Sequence, residues 1–219
     1  MIFCHCVARV RASRNDNHNF MSLILIFIFI FGLIIGSFLN CLIWRLRTRE
    51  SLFGRSYCPK CKKQIAWYDN LPVLSFILLR GGCRQCGQAI SWQYPAVELA
   101  TGLLFAAAFA NNFQFSIKIL RDFFLISVMM VVFIYDLRWY LILDIITLPA
   151  SLIMLIFNLI LDYSWQNLLL SGIIGGSFFL IQFLISRGRW IGGGDIRLGL
   201  LMGLSLGWPG VLLAIIISY

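Results

Sequence analysis

Charge is what this chain has least of. Lys, Arg, Asp and Glu make up 12% of its 219 residues, against about 25% in an ordinary soluble domain. Sixty per cent of the residues are hydrophobic, and the mean hydropathy is +0.87. A soluble globule of this size has no interior large enough for so much apolar surface, and a disordered regulator would be poor in it. Low-complexity linkers and internal repeats are absent too, which excludes a solenoid or a tethered array. The composition is that of an all-α polytopic membrane protein.

Negative charge is scarcer than positive, with 9 Asp and Glu against 18 Lys and Arg. On a soluble protein a net charge of +9 would point to nucleic acid. In so apolar a chain it is instead the Lys/Arg excess of cytoplasmic loops, so no nucleic-acid partner is expected and the lipid bilayer is.

Residues 1–20 are polar, basic and without pattern, and the apolar run begins at Met21. They read as a disordered or spurious tail, with Met21 as the working start. Cys4, His5 and Cys6 form a triplet of metal-binding types without matching ligands nearby. Apolar runs long enough to cross a ~30 Å core, about 20 residues each, fall near 21–44, 95–115, 122–143, 145–162, 167–186 and 196–218. These predict about six transmembrane helices.

Between the first two runs lies the one sizeable polar segment, residues 45–94, with nine Lys or Arg against Glu50 and Asp69. The positive-inside rule puts this loop in the cytoplasm. Alternating the later spans agrees, because Arg138, Arg187, Arg189 and Arg197 then fall on the cytoplasmic side.

Four of the seven cysteines form two pairs in this loop, Cys58-Pro-Lys-Cys61 and Cys83-Arg-Gln-Cys86. A CxxC turn sets two thiolates on one side, and two such knuckles complete a tetrahedral Cys4 zinc site. Redox pairs are the rival reading, but no βαβ context surrounds them. Gly87 follows the second knuckle, where a positive φ is often required. With every ligand position filled by protein, the metal is expected to be structural, stapling a loop too small to fold alone.

Acidic groups within the apolar runs are few, and such groups are costly and usually functional. Asp136 falls at the cytoplasmic end of the third span and Asp195 at the cytoplasmic start of the sixth. Two carboxylates at one depth on one side suit aspartic peptidase chemistry, in which a close pair shares a proton. Gly192, Gly193 and Gly194 precede Asp195 and let backbone approach a substrate strand. The plainer alternatives are a helix-end cap paired with Arg138 for Asp136, and a helix N-cap or first-turn carboxylate for Asp195. Asp144 reads as a cap opening the fourth span, with a functional role as its alternative. Glu98, after Tyr94-Pro95, reads as a first-turn carboxylate with a substrate or ion-pair role.

Together these pieces resemble the bacterial type IV prepilin peptidases, membrane aspartic peptidases of the GxGD class. The matching stretches are Gly36-Ser-Phe-Leu-Asn40-Cys-Leu-Ile-Trp-Arg45, both CxxC knuckles, 67–75 (WYDNLPVLS), Ile90-Ser91, Tyr94-Pro95-Ala96-Val97-Glu98, Asp136 with Asp144, and Gly192-Gly193-Gly194-Asp195. The resemblance implies that Asp136 and Asp195 are catalytic. It implies that basic leaders are cut from type IV prepilins or type II secretion pseudopilins at the cytoplasmic face of the bacterial inner membrane. It further implies N-methylation of the new terminus with S-adenosylmethionine, an activity associated with the zinc loop, and a peptidase domain over residues 95–219.

Three departures stand out. Arg47 occupies a position where the family usually has Pro, and Arg197 one where it has Lys. The chain stops at Tyr219 inside an apolar run, so the domain is expected to be truncated. A catalytically impaired zinc-binding assembly factor for a pilus or secretion machine is therefore the alternative function. Tyr135-Asp136 also resembles the YD of presenilin-type GxGD peptidases, which lack a Cys4 loop after their first span. The substrate's identity and the oligomeric state are not legible.

Overall fold

The computed structural model describes residues 2–112 and 115–218, with side chains from Phe20 onward. The CHC triplet at 4–6 lies outside the described side chains. The described residues are helical, without β-strands; two isolated β-bridges join Tyr57 to Gln64 and Gly82 to Ala89. Eight α-helices follow in order: α1 (Ile2–Thr48), α2 (Leu74–Leu78), α3 (Gln93–Asn112), α4 (Ile117–Trp139), α5 (Asp144–Ile160), α6 (Trp165–Ser186), α7 (Gly193–Leu206) and α8 (Gly210–Ser218). The chain divides into two compact units, Met1–Gln114 and Phe115–Tyr219.

Several expected boundaries move. The segment read as a disordered tail is helical backbone from Ile2, continuous with the apolar part of α1. The third run stops at Trp139 rather than 143, because Tyr140 turns left-handed at φ 52° and its N–H caps the Asp136 carbonyl at 2.8 Å. The sixth run is broken at Gly207, φ +65°, with Pro209 two residues later, and so yields α7 and α8. By length and apolar composition, two helices can cross a bilayer: the Phe20–Thr48 part of α1, and α6. The six expected spans correspond to α1, α3, α4, α5, α6 and the α7–α8 pair, not to six uninterrupted helices of that standard.

Small residues bring helices together in both units. In the first, a Cβ on Gly32 would lie 2.7 Å from the Gly102 Cα, and one on Gly36 would lie 2.7 Å from the Glu98 Cα. In the second, a Cβ on Gly175 would lie 2.2 Å from the Gly199 carbonyl oxygen, and one on Gly203 would lie 2.1 Å from the Ser171 carbonyl oxygen. These are small-xxx-small seams, which gain dispersion contact where lipid offers no hydrophobic drive between helices. Elsewhere α4, α5 and α7 share a core of Val128, Val132, Ala150, Met154 and Leu201. Away from that core, buried Asn158 donates to the carbonyls of Leu204 at 2.7 Å and Ser205 at 3.1 Å, and accepts from Arg121 at 3.0 Å.

Candidate active site and metal centre

The cysteine loop is built from two turns of one design. Cys58 N–H donates to the Lys63 carbonyl and Lys62 N–H to the Cys58 carbonyl, both at 2.9 Å. Twenty-five residues on, Cys83 N–H donates to the Gln88 carbonyl and Gly87 N–H to the Cys83 carbonyl, both at 2.8 Å. Gly87 has φ +67°, as its sequence position predicts, and the equivalent residue of the first turn is Lys62 at φ 58°. A lysine gives no sequence signal for that left-handed conformation, so the match between the turns appears only in the backbone.

The two turns meet. The four sulfur atoms of Cys58, Cys61, Cys83 and Cys86 lie within 4.8 Å of one another, and the Cys58 and Cys86 sulfurs are 3.8 Å apart. A tetrahedral Zn–S4 centre with bonds of about 2.3 Å needs sulfurs about 3.8 Å apart. The donor set fits a metal ion. The Cys61 amide, aided by neighbouring hydrogen bonds, pulls the Cys58 thiol down to about 6 against the effect of its burial, while, against the pull of the Gln88 amide, burial and the neighbouring cysteines push the Cys86 thiol up to about 11, so Cys58 is the more acidic of the two.

Side chains outside the knuckles hold them in place. Lys63 Nζ donates to Gln85 Oε1 at 3.1 Å, linking one turn to the other. Arg84 grips Asp69 with both Nε, at 2.8 Å, and a terminal nitrogen, at 2.6 Å, and this guanidinium holds the Asp69 carboxyl below its ordinary range. Asp69 sits in a 3-10 turn, Trp67–Asn70. Buried Arg45, at the end of α1, donates to the carbonyls of Leu52 and Gly54 and folds the start of the loop back on the helix. Asn40 is buried at 2% exposure, donating to the Tyr94 carbonyl at 3.0 Å and accepting from Gln93 at 3.2 Å.

Glu98 corrects its expected role. It stands in the second turn of α3, not the first, and is 6% exposed. Its Oε2 accepts the backbone N–H of Val73 at 2.8 Å, and its carboxyl also hydrogen-bonds the Ser37 side chain. Val73 is β-branched yet has φ 61°, a conformation that costs on the order of 1–3 kcal/mol and persists where its surroundings hold it. Glu98 supplies part of that hold.

Three carboxylates of the second unit stand at helix ends, Asp136 in the last turn of α4, Asp144 at the start of α5 and Asp195 in the first turn of α7. Asp136 lies one turn beyond Val132, the last residue that α4 gives to the shared core, and is itself exposed. Asp195 lies three residues before Leu198, which packs on the same core. Gly194 presses against the α4–α5 connection, where a Cβ would lie 2.7 Å from the Ile142 Cβ. Asp136 is exposed and Asp195 half-buried.

Asp195 does cap its helix, since its Oδ2 accepts the Gly192 N–H at 2.8 Å. The capping alternative thus describes the local hydrogen bond and fixes one carboxylate oxygen. Asp144 opens α5, and its carboxylate pairs with Arg197 of α7. That cross-helix ion pair was not legible in the sequence, where the two residues are far apart. It ties the starts of α5 and α7 together beside Asp195. Gly192 and Gly193 are exposed, and nothing lies within 4 Å of a Cβ built on Gly193, so this turn presents open backbone.

The geometry agrees with two family matches. Residues 30–112 match the bacterial peptidase A24 N-terminal domain, and residues 123–219 match the type IV leader peptidase family. A prepilin leader peptidase/N-methyltransferase of Klebsiella pneumoniae is 36% identical over 81% of this chain and 82% of that protein. The chain belongs to the type IV leader peptidase family. Proteins of the same name from Vibrio cholerae and Myxococcus xanthus are each 36% identical, over 80% and 83% of this chain. The chain spans 74% of the Vibrio protein but 56% of the longer Myxococcus one. No solved structure matches.

Proposed function

We propose that this chain is a prepilin leader peptidase that also N-methylates its product, working at the cytoplasmic face of a bacterial inner membrane. The observation that supports the peptidase reading is that Asp136, in the last turn of α4, and Asp195, in the first turn of α7, sit on two helices that pack on one shared core, with Gly194 touching Ile142 of the α4–α5 connection. Family membership and the names of the relatives support the substrate class, prepilins or pseudopilins. The basic loop, the six apolar runs of the sequence and the Lys/Arg distribution support the orientation.

In this reading the two carboxylates share one proton. The ionised one takes a proton from a water whose oxygen bonds to the scissile carbonyl carbon, while the protonated one donates to the carbonyl oxygen. Collapse of the tetrahedral intermediate breaks the C–N bond, and the departing amine takes a proton from the dyad. The titration belongs to the pair, so the roles are not divided further. The Gly192–Gly194 turn receives the extended substrate backbone. The Arg197–Asp144 pair holds α5 and α7 at the spacing the dyad needs.

Cys58, Cys61, Cys83 and Cys86 hold zinc, which stabilises the loop as a closed four-thiolate centre. The methyl donor is S-adenosylmethionine, which the methyltransferase name supports. The test is leader removal from a prepilin by the purified chain in nanodiscs, followed by mass spectrometry of the new terminus. Cleavage that survives in both Asp136→Asn and Asp195→Asn would refute the dyad. A zinc-loaded chain that binds prepilin and never cuts it would be an assembly factor instead.

A further inference from the structure

Helix α2 is too apolar for the place it occupies. Its residues Leu74, Ile77 and Leu78 are 58%, 64% and 75% exposed, although a helix on a soluble loop turns such side chains inward. Two contacts set its depth. Phe76 packs on Trp92, with ring centroids 4.8 Å apart, and Trp92 immediately precedes the first residue of α3. The Val73 amide, just before α2, bonds to Glu98, which lies five residues into α3, or about 7.5 Å along its axis. So α2 lies between the knuckles and the first turns of α3: Val73 and Phe76 reach the start of α3, while the turn after α2 runs into the second knuckle, with the Gly81 N–H donating to the Phe76 carbonyl at 2.9 Å.

Tryptophan at a helix entry marks the interface of a bilayer. Interfacial helices bury their apolar face about 5–10 Å into the boundary between headgroups and acyl chains, which is the depth the Glu98 contact sets. Exposed Arg80 follows α2 directly, in a loop with nine Lys or Arg against two acidic residues, and such loops attract anionic headgroups. Leu99 and Leu103, on the next turns of α3, are likewise exposed, at 40% and 62%. The apolar face of α2 is therefore continuous in height with side chains that meet lipid.

We propose that α2 is an interfacial anchor. Its Leu74–Ile77–Leu78 face lies in the cytoplasmic leaflet, and the loop's basic residues bind anionic phospholipid headgroups, fixing the height of the metal loop above the membrane. This rests on the membrane reading above but not on the peptidase reading.

The test uses the full chain with zinc bound, in nanodiscs of phosphatidylcholine and phosphatidylglycerol. The photoreactive residue p-benzoylphenylalanine replaces Leu78 in one sample and the exposed knuckle residue Lys60 in another. Irradiation is expected to give phospholipid adducts at position 78 and to lose them at position 60. The yield at 78 should fall when phosphatidylglycerol is omitted, or when Ile77→Asp is introduced with zinc content unchanged. A chain that enters the nanodisc and retains zinc, yet cross-links at 78 to another part of itself or to a second copy, overturns the anchor alone. A chain that does not enter the nanodisc overturns the membrane reading with it.

Discussion

The cysteine loop and the carboxylate end of the second unit are both sites made from residues distant in sequence, and they are made in different ways. In the loop, each half is complete before the halves meet. Tyr57 to Gln64 and Gly82 to Ala89 each close their own hydrogen bonds and β-bridge, so the four ligands come from two locally closed turns. At the carboxylate end nothing is local. Asp136 and Asp195 ride on separate helices, α4 and α7, which share one packed core with α5. A site built from finished local turns fails locally when damaged. A site built from helix ends fails whenever a distant seam opens.

The largest effect expected is on the second site. Asp136→Asn and Asp195→Asn should each lower cleavage by at least ~10²–10⁴-fold, the contribution of positioned acid–base groups, with helical content by circular dichroism and bound zinc unchanged. Next comes the metal. Cys58→Ser or strong chelation removes a binding free energy on the order of 10–16 kcal/mol. Hydrogen exchange should then rise over residues 57–64 and 82–89 while α6 and α7 keep their protection. Exchange spreading through the second unit would break the contrast.

Gly199→Leu probes the distant seam. A Cβ there would lie 2.4 Å from the Gly175 carbonyl oxygen, and overpacking costs about 1–3 kcal/mol. Cleavage and thermal stability should both fall although residue 199 is not part of the dyad. Arg197→Ala should lower kcat and move its pH profile, because the pair with Asp144 sits beside Asp195. Arg197→Lys should restore most of both, and a merely structural role would leave the pH profile in place.

The smallest effect compares the two knuckles directly. Lys62→Gly relieves a left-handed residue, whose cost is about 1–2 kcal/mol, and should tighten zinc retention against a competing chelator. Gly87→Ala should weaken retention by a similar amount. Equal retention in both variants would mean that the turns are not equivalent.

Much of the metal centre was legible because its chemistry is local. CxxC spacing and Gly87 speak within five residues, and the backbone obeys them. The carboxylates stood out as types, since charge within an apolar run is rare, and Asp136, Asp144 and Asp195 do fall at helix ends. What the sequence hid was every partnership across elements. Val73 bonding to Glu98, Asp69 to Arg84 and Asp144 to Arg197 each joins residues with no periodic relation. The break at Gly207 was hidden too, because the apolar run continues across it. Arg197, a departure from the family's usual Lys, proves to keep its charge in use.

Composition alone determined that this chain is helical and suited to lipid, because apolar surface on this scale has no aqueous solution and backbone polar groups within a bilayer must pair within helices. Motif spacing determined the four clustered cysteines and marked Asp136 and Asp195 as the acidic pair proposed above. Only the tertiary structure decided which helix ends converge, which carboxylate an arginine holds, and where α2 sits. Those choices follow from how closely glycine seams let backbones approach, a property of two surfaces together that neither stretch of sequence carries by itself.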